Sequence, residues 1–552
     1  MLKGLMQDVP LLVSSLIEHA ASCHGDAEIV SRTAEGTINR STYRDIARRA
    51  KGVAKALLAL GVKPGERIGT LAWNGYRHME MYYGVSGMGA VLHTIHPRQF
   101  PEQLEYVINH AEDQHLFFDV TFAPLVERLA PMLRTVKHFV AMTDRRNLPL
   151  SDIPNLLCYE DLIAGNDEDF SWPVFDEATA SSLCYTAGTT GTPKGVLYSH
   201  RSTVLHAFAI CAADSMALSA NEAALLAAPM SHVNGWGVPY AAAMCGMKLV
   251  LPGPANDGRS LYELMRDEGV TLALGGPNVW PPIFAHADAT HRSPRKDLRL
   301  RRVVIGGAVP GGELTERITS QFGASVTQVW GMTETSPIGA VGAPLSAQGE
   351  AEKGATTVAE ASHGRAPFGI ELRLVDDAGR RVPHDGLTRG LLRLRGPWVP
   401  AGYFKATGAS SLDAEGFFAS GDIATIDGKG WLRVTDRAAD ALKSGGEWMS
   451  SAELEAIAVG HPDVFEAALI ALPGTPSRTR RLLIILRRSS CEVSRDELLD
   501  YLAQRVDRRW LPDDVVFVEH IPHTATGKVH KGQLRAMFAG HPWPSETAAP
   551  AV

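Results

Sequence analysis

The sequence predicts an α/β protein with a large N-terminal domain of α/β layers, a β-rich subdomain and a small α+β C-terminal domain. Apolar strands alternate with amphipathic helices between residues 11 and 307, which favours parallel layers. After residue 365, glycine-bounded segments alternate polar and apolar residues with period two, as antiparallel strands with one solvated face do. A compact stretch of strands and helices follows residue 437.

The N-terminal elements follow from hydrophobic periodicity. Helices are expected where apolar residues recur near every 3.6 positions, and Gly61 marks one helix end. Short apolar runs between the helices predict buried strands. The predicted helices cover 11–24, 41–60, 76–88, 101–111 and 258–268, and the predicted strands cover 67–72, 90–95, 116–119, 249–251, 272–274 and 303–307.

The C-terminal elements are shorter and bounded by glycine. The period-two strands cover 369–376, 390–396 and 430–436, and the last part contains helices at 451–459 and 494–508 and strands at 464–472, 481–487 and 515–519. A domain boundary is expected at 436–440. The predicted division is a large domain at 1–436, a connection at 437–440, a small domain at 441–540 and a flexible tail at 541–552.

Composition excludes several classes of protein. The 552 residues carry 54 Lys and Arg against 61 Asp and Glu, a formal net charge of −7. This mildly acidic balance gives no indication of a surface that binds nucleic acid. With 45% hydrophobic and 21% charged residues, the chain is not wholly disordered. No apolar run reaches the ~18 residues of a membrane span. A cytoplasmic location is expected, because no secretory signal is visible and the six cysteines are scattered.

The segment 185–195 carries the sharpest local signal of chemistry. Two glycines let the backbone turn so that N–H groups converge, four threonines add hydroxyl donors, and Lys194 adds positive charge. A polyphosphate requires these groups. The segment is not a Walker A loop, because Pro193 stands where a glycine should precede the lysine. A plain surface loop is the alternative, which this composition disfavours.

This segment resembles the phosphate-binding motif of the adenylate-forming (AMP-binding) superfamily, which includes acyl-CoA synthetases, luciferases and peptide-synthetase adenylation domains. Other motifs follow in that superfamily's order, at 330–335, 420–422, 435–437, 443–455 and 522–535. The likeness spans roughly residues 10–540. It is strongest to medium- and long-chain fatty-acyl-CoA ligases and to bacterial ligases for methylthiopropionate-like acids.

The resemblance implies an ATP-dependent acyl-CoA ligase that uses ATP, Mg²⁺ and coenzyme A and forms acyl-CoA, AMP and pyrophosphate through an acyl-AMP. It implies catalytic roles for Lys528, Glu334, Thr186 and His232, with Thr186 and Glu334 as Mg²⁺ ligands. The implied nucleotide-binding residues are Thr186, Thr189, Thr190, Lys194, Gly307, Trp330, Gly331, Thr333, Asp422 and Arg437. The alternatives are a core position for Trp330 and His232, a strand-end turn for Gly307, a solvated side chain for Glu334 and Lys528, and an ordinary surface salt bridge for Asp422 and Arg437.

The resemblance also implies an acid pocket and a coenzyme A route. The acid would contact His232, Trp236 and Gly307, and coenzyme A would contact Lys443, Gly445, Gly446 and Trp448. The acyl-side segments contain no acidic residue to bind an amino group, which disfavours an amino-acid substrate. In relatives, the small domain rotates about the connection after adenylation, which implies a mobile C-terminal domain here.

The sequence departs from the superfamily's pattern in three places. Ala187 replaces a common serine, Ala439 replaces a polar hinge residue, and the 475–481 segment is altered. Arg478, Arg480 and Arg481 in that segment could serve coenzyme A phosphates, and a solvated basic loop is the alternative. These departures keep open a catalytically weak regulatory relative. A luciferase-like oxygenase, which would use the same adenylate, also stays open. A homodimer is an open alternative to a monomer.

Overall fold

The structure is a computed structural model that describes residues 2, 4–165, 170–186, 192–308, 312–342, 363–406, 411–444, 447–473, 479–489, 491–523 and 529–543. For residues 442–444, 447–449 and 479 it describes the backbone alone. The chain forms two compact units. The first is built from residues 1–186, 193–371 and 394–418, and the second mainly from residues 372–393 and 419–552.

The first unit contains two large, mostly parallel sheets. Its strands are β1 Glu28–Arg32, β2 Ile38–Thr42, β3 Arg67–Leu71, β4 Val91–Thr94, β5 Asp113–Phe118, β6 His138–Ala141, β7 Leu156–Cys158, β8 Ala180–Tyr185, β9 Gly195–Ser199, β10 Ala223–Leu226, β11 Lys248–Leu251, β12 Leu272–Gly275, β13 Arg302–Ile305, β14 Ser325–Gly331 and β15 Ile338–Val341. The eight-stranded sheet has the order β15-β14-β13-β12-β10-β11-β1-β2, and the seven-stranded sheet has the order β7-β6-β5-β3-β4-β8-β9. The antiparallel pairs β14–β15 and β8–β9 place two short connections at sheet edges.

The helices of the first unit cover the faces of these sheets. They are α1 Val13–Cys23, α2 Tyr43–Ala59, α3 Tyr76–Gly87, α4 Pro101–Ala111, α5 Ala123–Leu129, α6 Tyr159–Ile163, α7 His200–Cys211, α8 Val238–Cys245, α9 Gly258–Asp267, α10 Trp280–Ala289, α11 Pro294–Asp297 and α12 Gly312–Arg317. Short 3₁₀ turns of this unit lie at Val120–Phe122, Ala130–Met132, Pro277–Val279 and Thr333–Thr335, a π-helical turn lies at Ile318–Phe322, and a single helical turn with non-helical backbone inside it lies at Val233–Trp236. The 3₁₀ turn Arg508–Trp510 belongs to the second unit.

Side chains of successive strand residues pack in different layers of this core, because they alternate between the two faces of a sheet. One apolar cluster lies between the sheets: Phe117 and Leu226 point into it with helices α1, α2, α3, α7 and α8. Leu116, on the opposite face of the seven-stranded sheet, packs against α4 and α5. Leu225, on the opposite face of the eight-stranded sheet, packs against α9 and α10. The first unit is thus layered helix, sheet, helix, sheet, helix.

The second unit contains smaller sheets and an α+β portion. Its strands are β16 Glu371–Val375, β17 Gly390–Arg395, β18 Phe418–Ile426, β19 Leu432–Arg437, β20 Leu442–Ser444, β21 Glu447–Met449, β22 Val464–Pro473, β23 Thr479–Arg487 and β24 Asp514–Val518, and its helices are α13 Ser451–Val459, α14 Arg495–Ala503 and α15 Lys531–Met537. The order β16-β17-β18-β19 forms one sheet, most of which belongs to this unit, and β22-β23-β24 forms another. Helices α13 and α14 cover one face of the latter, and α15 covers the other.

The predicted fold class, with a large N-terminal and a small C-terminal part, is confirmed. The helix predicted at 41–60 begins later, because residues 38–42 pair with β1 and the Thr42 hydroxyl accepts a hydrogen bond from Asp45 N, which caps α2. The helix predicted at 494–508 ends at Ala503. All six cysteines are free thiols. Among the residues that the structure describes, no helix is both long and apolar enough to span a bilayer. Mobility of the C-terminal part and the connection at 437–440 stay predictions.

Candidate active site

The threonine- and glycine-rich loop joins β8 to the edge strand β9, and its first and last residues, Thr186 and Lys194, lie side by side. Thr186 N donates to the Lys194 carbonyl oxygen at 2.9 Å, and Lys194 N donates to Thr186 Oγ1 at 3.1 Å. The first bond continues the antiparallel β8–β9 ladder by one step, and in the second the Thr186 hydroxyl takes the place of a backbone acceptor. They place the Thr186 hydroxyl and the Lys194 side chain at the base of the loop. Thr189 and Thr190 lie outside the described residues.

Tyr403 connects this loop base to Glu334. The Lys194 ammonium lies 4.9 Å from the centroid of the Tyr403 ring, within cation–π range. The Tyr403 hydroxyl donates to Glu334 Oε1 at 2.6 Å. Phe404 N donates to the Gly195 carbonyl oxygen at 2.8 Å, which holds the segment of Tyr403 against β9. The Lys194 cation, the Tyr403 phenol and the Glu334 carboxylate therefore form a series of spatial contacts at one edge of the first unit.

Glu334 is fixed by the turn that joins β14 to β15. The Tyr198 hydroxyl donates to the Thr333 carbonyl oxygen at 2.6 Å, and Met332 N donates to Thr335 Oγ1 at 2.9 Å. A Cβ atom on Gly331 would overlap the carbonyl oxygen of Pro337, so this turn requires glycine at its first residue. Glu334 is only 5% exposed, and its carboxylate is held in one place by these contacts.

Trp330 and Gly307 differ in how open their surroundings are. Trp330 is 8% exposed, and its indole packs so closely on Gly339 that a Cβ there would overlap the ring. One face of the Trp330 indole is therefore packed in the core, as the core alternative expects, and contact of Trp330 with the nucleotide stays a prediction. Gly307 has φ +87°, a conformation that side chains disfavour. Among the residues that the structure describes, and apart from its chain neighbours, no atom lies within 4 Å of the position of a Cβ, so Gly307 faces open space as far as these residues are concerned.

Among the residues predicted to contact the acid, Trp236 packs against the residue before Gly307. A Cβ on Gly306 would lie 3.0 Å from Cη2 of Trp236 and 2.7 Å from Cγ2 of Val329. Trp236 is buried, and its backbone has a φ of 60°. The Trp236 indole therefore forms a wall directly beside the open space at Gly307.

His232 is half-buried on the same side. Its ring makes a T-shaped contact with His96, with the ring centroids 6.0 Å apart. Burial, together with the Arg98 charge, lowers the pKa of His96 to about 4, so His96 is neutral near pH 7. His232 therefore lies against a neutral ring.

Asp422 and Arg437 pair across two strands of the second unit. Arg437 Nε lies 3.0 Å from Asp422 Oδ1, and Asp422 N donates to Ser420 Oγ at 3.0 Å. The Asp422 side chain is 3% exposed, whereas that of Arg437 is 45% exposed. An Asp this deeply buried beside an Arg is not an ordinary surface salt bridge, because exposed pairs have both partners in solvent.

The donor set fits a magnesium ion better than a transition metal. Among the described residues, no group of three or more His, Cys, Asp or Glu side chains could hold a metal ion. Mg²⁺ is commonly held by one or two carboxylates, waters and substrate phosphates, so the chemistry of Glu334 and the Thr186 hydroxyl fits this ion, and their role as its ligands stays a prediction. When bound, such an ion neutralises phosphate charge.

The structure brings some of the predicted residues together and leaves others undescribed. Thr186, Lys194, Gly331, Thr333 and Glu334 belong to one connected set of contacts in the first unit. Lys443 and Trp448 are backbone partners in the β20–β21 pair, and their side chains lie outside the described residues. Gly445, Gly446 and Lys528 also lie outside them.

Sequence reasoning missed Tyr403. It stands in a turn after Gly402, between two segments of strand periodicity, and it is separated from Glu334 by 69 positions. A tyrosine next to a glycine is only a weak sequence signal of a functional turn. No pattern in the sequence around Tyr403 predicts its hydrogen bond to Glu334.

Comparison with known proteins matches most of the chain to one enzyme family. The family model described as AMP-binding enzyme matches residues 17–404, and the model described as AMP-binding enzyme C-terminal domain matches residues 453–528. A 3-methylmercaptopropionyl-CoA ligase of Ruegeria lacuscaerulensis is 48% identical over 535 residues, covering 97% of this chain and 98% of that protein. A medium-chain-fatty-acid–CoA ligase of Ectopseudomonas oleovorans is 45% identical over 535 residues, covering 97% of each.

Among solved structures, an anthranilate CoA ligase in complex with anthranoyl-AMP has a TM-score of 0.82 at 24% identity, covering 96% of this chain and 99% of that one, which shows a shared fold. The first family match alone spans well over half of the sequence. The chain belongs to the AMP-binding enzyme family.

Proposed function

We propose that this protein is an ATP-dependent acyl-CoA ligase for an apolar carboxylic acid. The observation that carries the proposal is the contact series Lys194, Tyr403 and Glu334, which puts a cation and a carboxylate beside the Thr186 loop base. Two relatives at 48% and 45% identity, matched over nearly their whole length, are CoA ligases by name, which supports the same activity.

The first half-reaction joins the acid to AMP. A carboxylate oxygen attacks the α-phosphorus of ATP, the bond from that phosphorus to the bridging oxygen breaks, and pyrophosphate leaves. Charge gathers on the phosphate oxygens in this step, so fixed cations and N–H donors lower its barrier. In this proposal Lys194 and the 186–194 loop bind the β- and γ-phosphates, Glu334 and Thr186 hold Mg²⁺, and Lys528 contacts the acid and the α-phosphate.

The same proposal gives roles to the remaining nucleotide and acid contacts. Asp422 accepts hydrogen bonds from the ribose hydroxyls, since an ionised carboxylate is an acceptor only. Arg437 is held beside it by their ion pair. Gly307 allows the backbone to approach the adenylate, and His232 lies beside the acid carboxylate.

The second half-reaction transfers the acyl group to coenzyme A. The thiol, after losing its proton, attacks the acyl carbonyl carbon, and AMP leaves with the electrons of the broken mixed-anhydride bond. In this proposal Lys443, Gly445, Gly446 and Trp448 line the route of the pantetheine arm. The C-terminal part rotates about residues 437–440 between the two steps.

The test uses the wild-type chain with ATP, Mg²⁺, CoA and a panel of acids, including methylthiopropionate and straight-chain acids of graded length. We expect acid-dependent release of pyrophosphate and AMP in equal amounts, and acyl-CoA by mass spectrometry. Thioester formation without oxygen uptake argues against a luciferase-like oxygenase. Absence of pyrophosphate with every acid would contradict the ligase and leave the regulatory alternative. A cytoplasmic location and a homodimeric assembly stay predictions, which fractionation and sedimentation velocity would test.

A further inference from the structure

A run of left-handed backbone carries Trp236. Residues 233–237 all have positive φ, including 41° at Val233, 39° at Asn234 and 60° at Trp236. A β-branched residue such as valine is a strong outlier at positive φ, and three side-chain-bearing residues share this run. Such backbone persists only where the surrounding structure holds it, and it is concentrated at functional sites.

The Asn234 side chain ties this run to the seven-stranded sheet. Its Oδ1 accepts from Thr94 Oγ1 at 3.0 Å and from Cys184 Sγ at 2.9 Å, and its Nδ2 donates to Ser182 Oγ. Asn234 is 6% exposed, and its three partners are 3% exposed or less. Thr94 and Cys184 are register partners on the adjacent strands β4 and β8. Both ends of one buried amide are thus used to bind the turn to two strands.

The same contacts connect the two sides of the proposed active site. Cys184 stands two positions before Thr186, where β8 enters the phosphate loop. Trp236 stands two positions after Asn234 and packs against Gly306, beside the open space at Gly307. The position of the Trp236 indole therefore depends on a turn whose Asn234 side chain is hydrogen-bonded to β4 and β8. The last residue of the turn, Gly237, is also the N-cap of α8.

We infer that Asn234 is a positioning residue for acid selection: it holds the left-handed turn so that Trp236 closes the acyl side at Gly306. This inference rests on the proposed acyl-CoA ligase function. Asn tolerates the left-handed region better than most residues, and its amide supplies both an acceptor and a donor. Loss of the tether lets the turn relax and moves the Trp236 wall, while the nucleotide contacts at Glu334 and Lys194 stay in place.

The first test is Thr94→Val, which removes one hydrogen bond to Asn234 and keeps the side-chain shape. Thr70→Val is the matched control, because Thr70 is also buried in the same sheet but bonds His78 Nε2 and the His93 carbonyl oxygen. For Thr94→Val we expect the ratio of kcat/KM for a long acid to that for a short acid to change by about ten-fold, the lower end of what one methylene is worth in an apolar pocket. KM for ATP should stay within about two-fold, and Thr70→Val should leave the ratio unchanged.

The second test compares two substitutions at the turn itself. Asn234→Ala removes the tether and should change the ratio at least as much as Thr94→Val. Asn234→Asp keeps tolerance of positive φ, and its carboxylate can accept from all three hydroxyl and thiol partners, so it should restore the ratio toward that of the wild-type chain. An unchanged ratio in folded Thr94→Val and Asn234→Ala overturns the inference, and so does an equal change in Thr70→Val. A wild-type chain without acid-dependent pyrophosphate release overturns the proposed function itself, and the inference with it.

Discussion

The hydroxyl of Tyr403 donates a 2.6 Å hydrogen bond to Oε1 of Glu334, and the ammonium of Lys194 lies 4.9 Å from the centroid of the same ring. The ring thus contacts a cation at its face and a carboxylate at its hydroxyl. Such an arrangement keeps the opposite charges of Lys194 and Glu334 on two sides of one phenol. In the proposed function, Lys194 would face phosphate and Glu334 would face magnesium.

Glu334→Gln should cripple adenylation while leaving the fold intact. The amide oxygen can still accept the Tyr403 hydrogen bond, but the negative charge that attracts Mg²⁺ is lost. By analogy with removed charge-stabilising donors, we expect pyrophosphate release to fall about 10²–10³-fold. The measurement is a magnesium titration of the release rate. Glu268→Gln is the control, since Glu268 is also buried but binds Arg40 and Lys248; an equal loss in both variants would contradict the assignment.

Tyr403→Phe should distinguish the role of the Tyr403 hydroxyl from the role of its ring. The ring face stays available to Lys194, whereas Glu334 loses its phenolic donor, so we expect a higher Mg²⁺ requirement and a loss of about 1 kcal/mol in the free energy of unfolding. Tyr83→Phe is the matched control, because its buried hydroxyl binds the Pro239 carbonyl oxygen. Chemical denaturation and the magnesium titration check both parts. An unchanged magnesium requirement would show that the hydrogen bond has no role in the site.

Asp422→Asn should raise KM for ATP more than it lowers kcat at saturating ATP. The proposed ribose hydrogen bonds to a charged acceptor are worth about 1.5–3 kcal/mol, which corresponds to roughly ten- to a hundred-fold in affinity. Initial rates against ATP concentration give the two constants. Asp514→Asn serves as control, because Asp514 is a buried partner of Arg495 in the same unit. If only the melting temperature changes, the Asp422–Arg437 pair is structural.

Lys528→Ala should affect the two half-reactions differently. Without a cation at the forming phosphate charge, pyrophosphate release should fall about 10²-fold or more, while CoA consumption from synthetic acyl-AMP should persist. Rapid-quench assays of each step make the comparison. Lys531→Ala is the control three positions away, since Lys531 pairs with Glu455 at 2.7 Å. Equal loss of both steps in Lys528→Ala would defeat the two-state scheme, although not the ligase activity.

Buried His78 should make the fold sensitive to mild acid. Burial lowers the pKa of His78 to about 4, partly offset by a hydrogen bond to the Trp73 carbonyl oxygen. The unfolded chain takes up a proton below its ordinary pKa of about 6.5, whereas the folded chain does not until about 4. The contribution of neutral His78 to the free energy of unfolding is therefore fully present above about pH 6.5. It is lost as the pH falls toward 4, and its size is about 3 kcal/mol.

The check is the free energy of unfolding of His78→Gln against the wild-type chain across that range. The variant should have a shallower decline with acid, and His520→Gln, at an exposed position, should match the wild-type slope. Parallel curves for His78→Gln and the wild-type chain would contradict a neutral buried histidine.

Much of the fold and part of the site could be predicted from the sequence. Helix α4 was predicted at its observed bounds, because Pro101 starts it and its apolar spacing is local information. Lys194, Glu334, Asp422 and Arg437 were named from motifs, because the loop and strand-end residues of each motif are close in the chain. In those cases a short window contains the whole signal.

The sequence by itself determined the α/β class, the order of the motifs and the family, since periodicity and short motifs need no knowledge of packing. Only the tertiary structure decided that the Tyr403 hydroxyl bonds to Glu334, 69 positions away, and that Asn234 bonds to Thr94, 140 positions away. The burial of Trp330 against Gly339 was likewise decided there. The physical reason is that such contacts form when sheets and helices stack, and the partner across a layer leaves no trace in the local pattern of either residue.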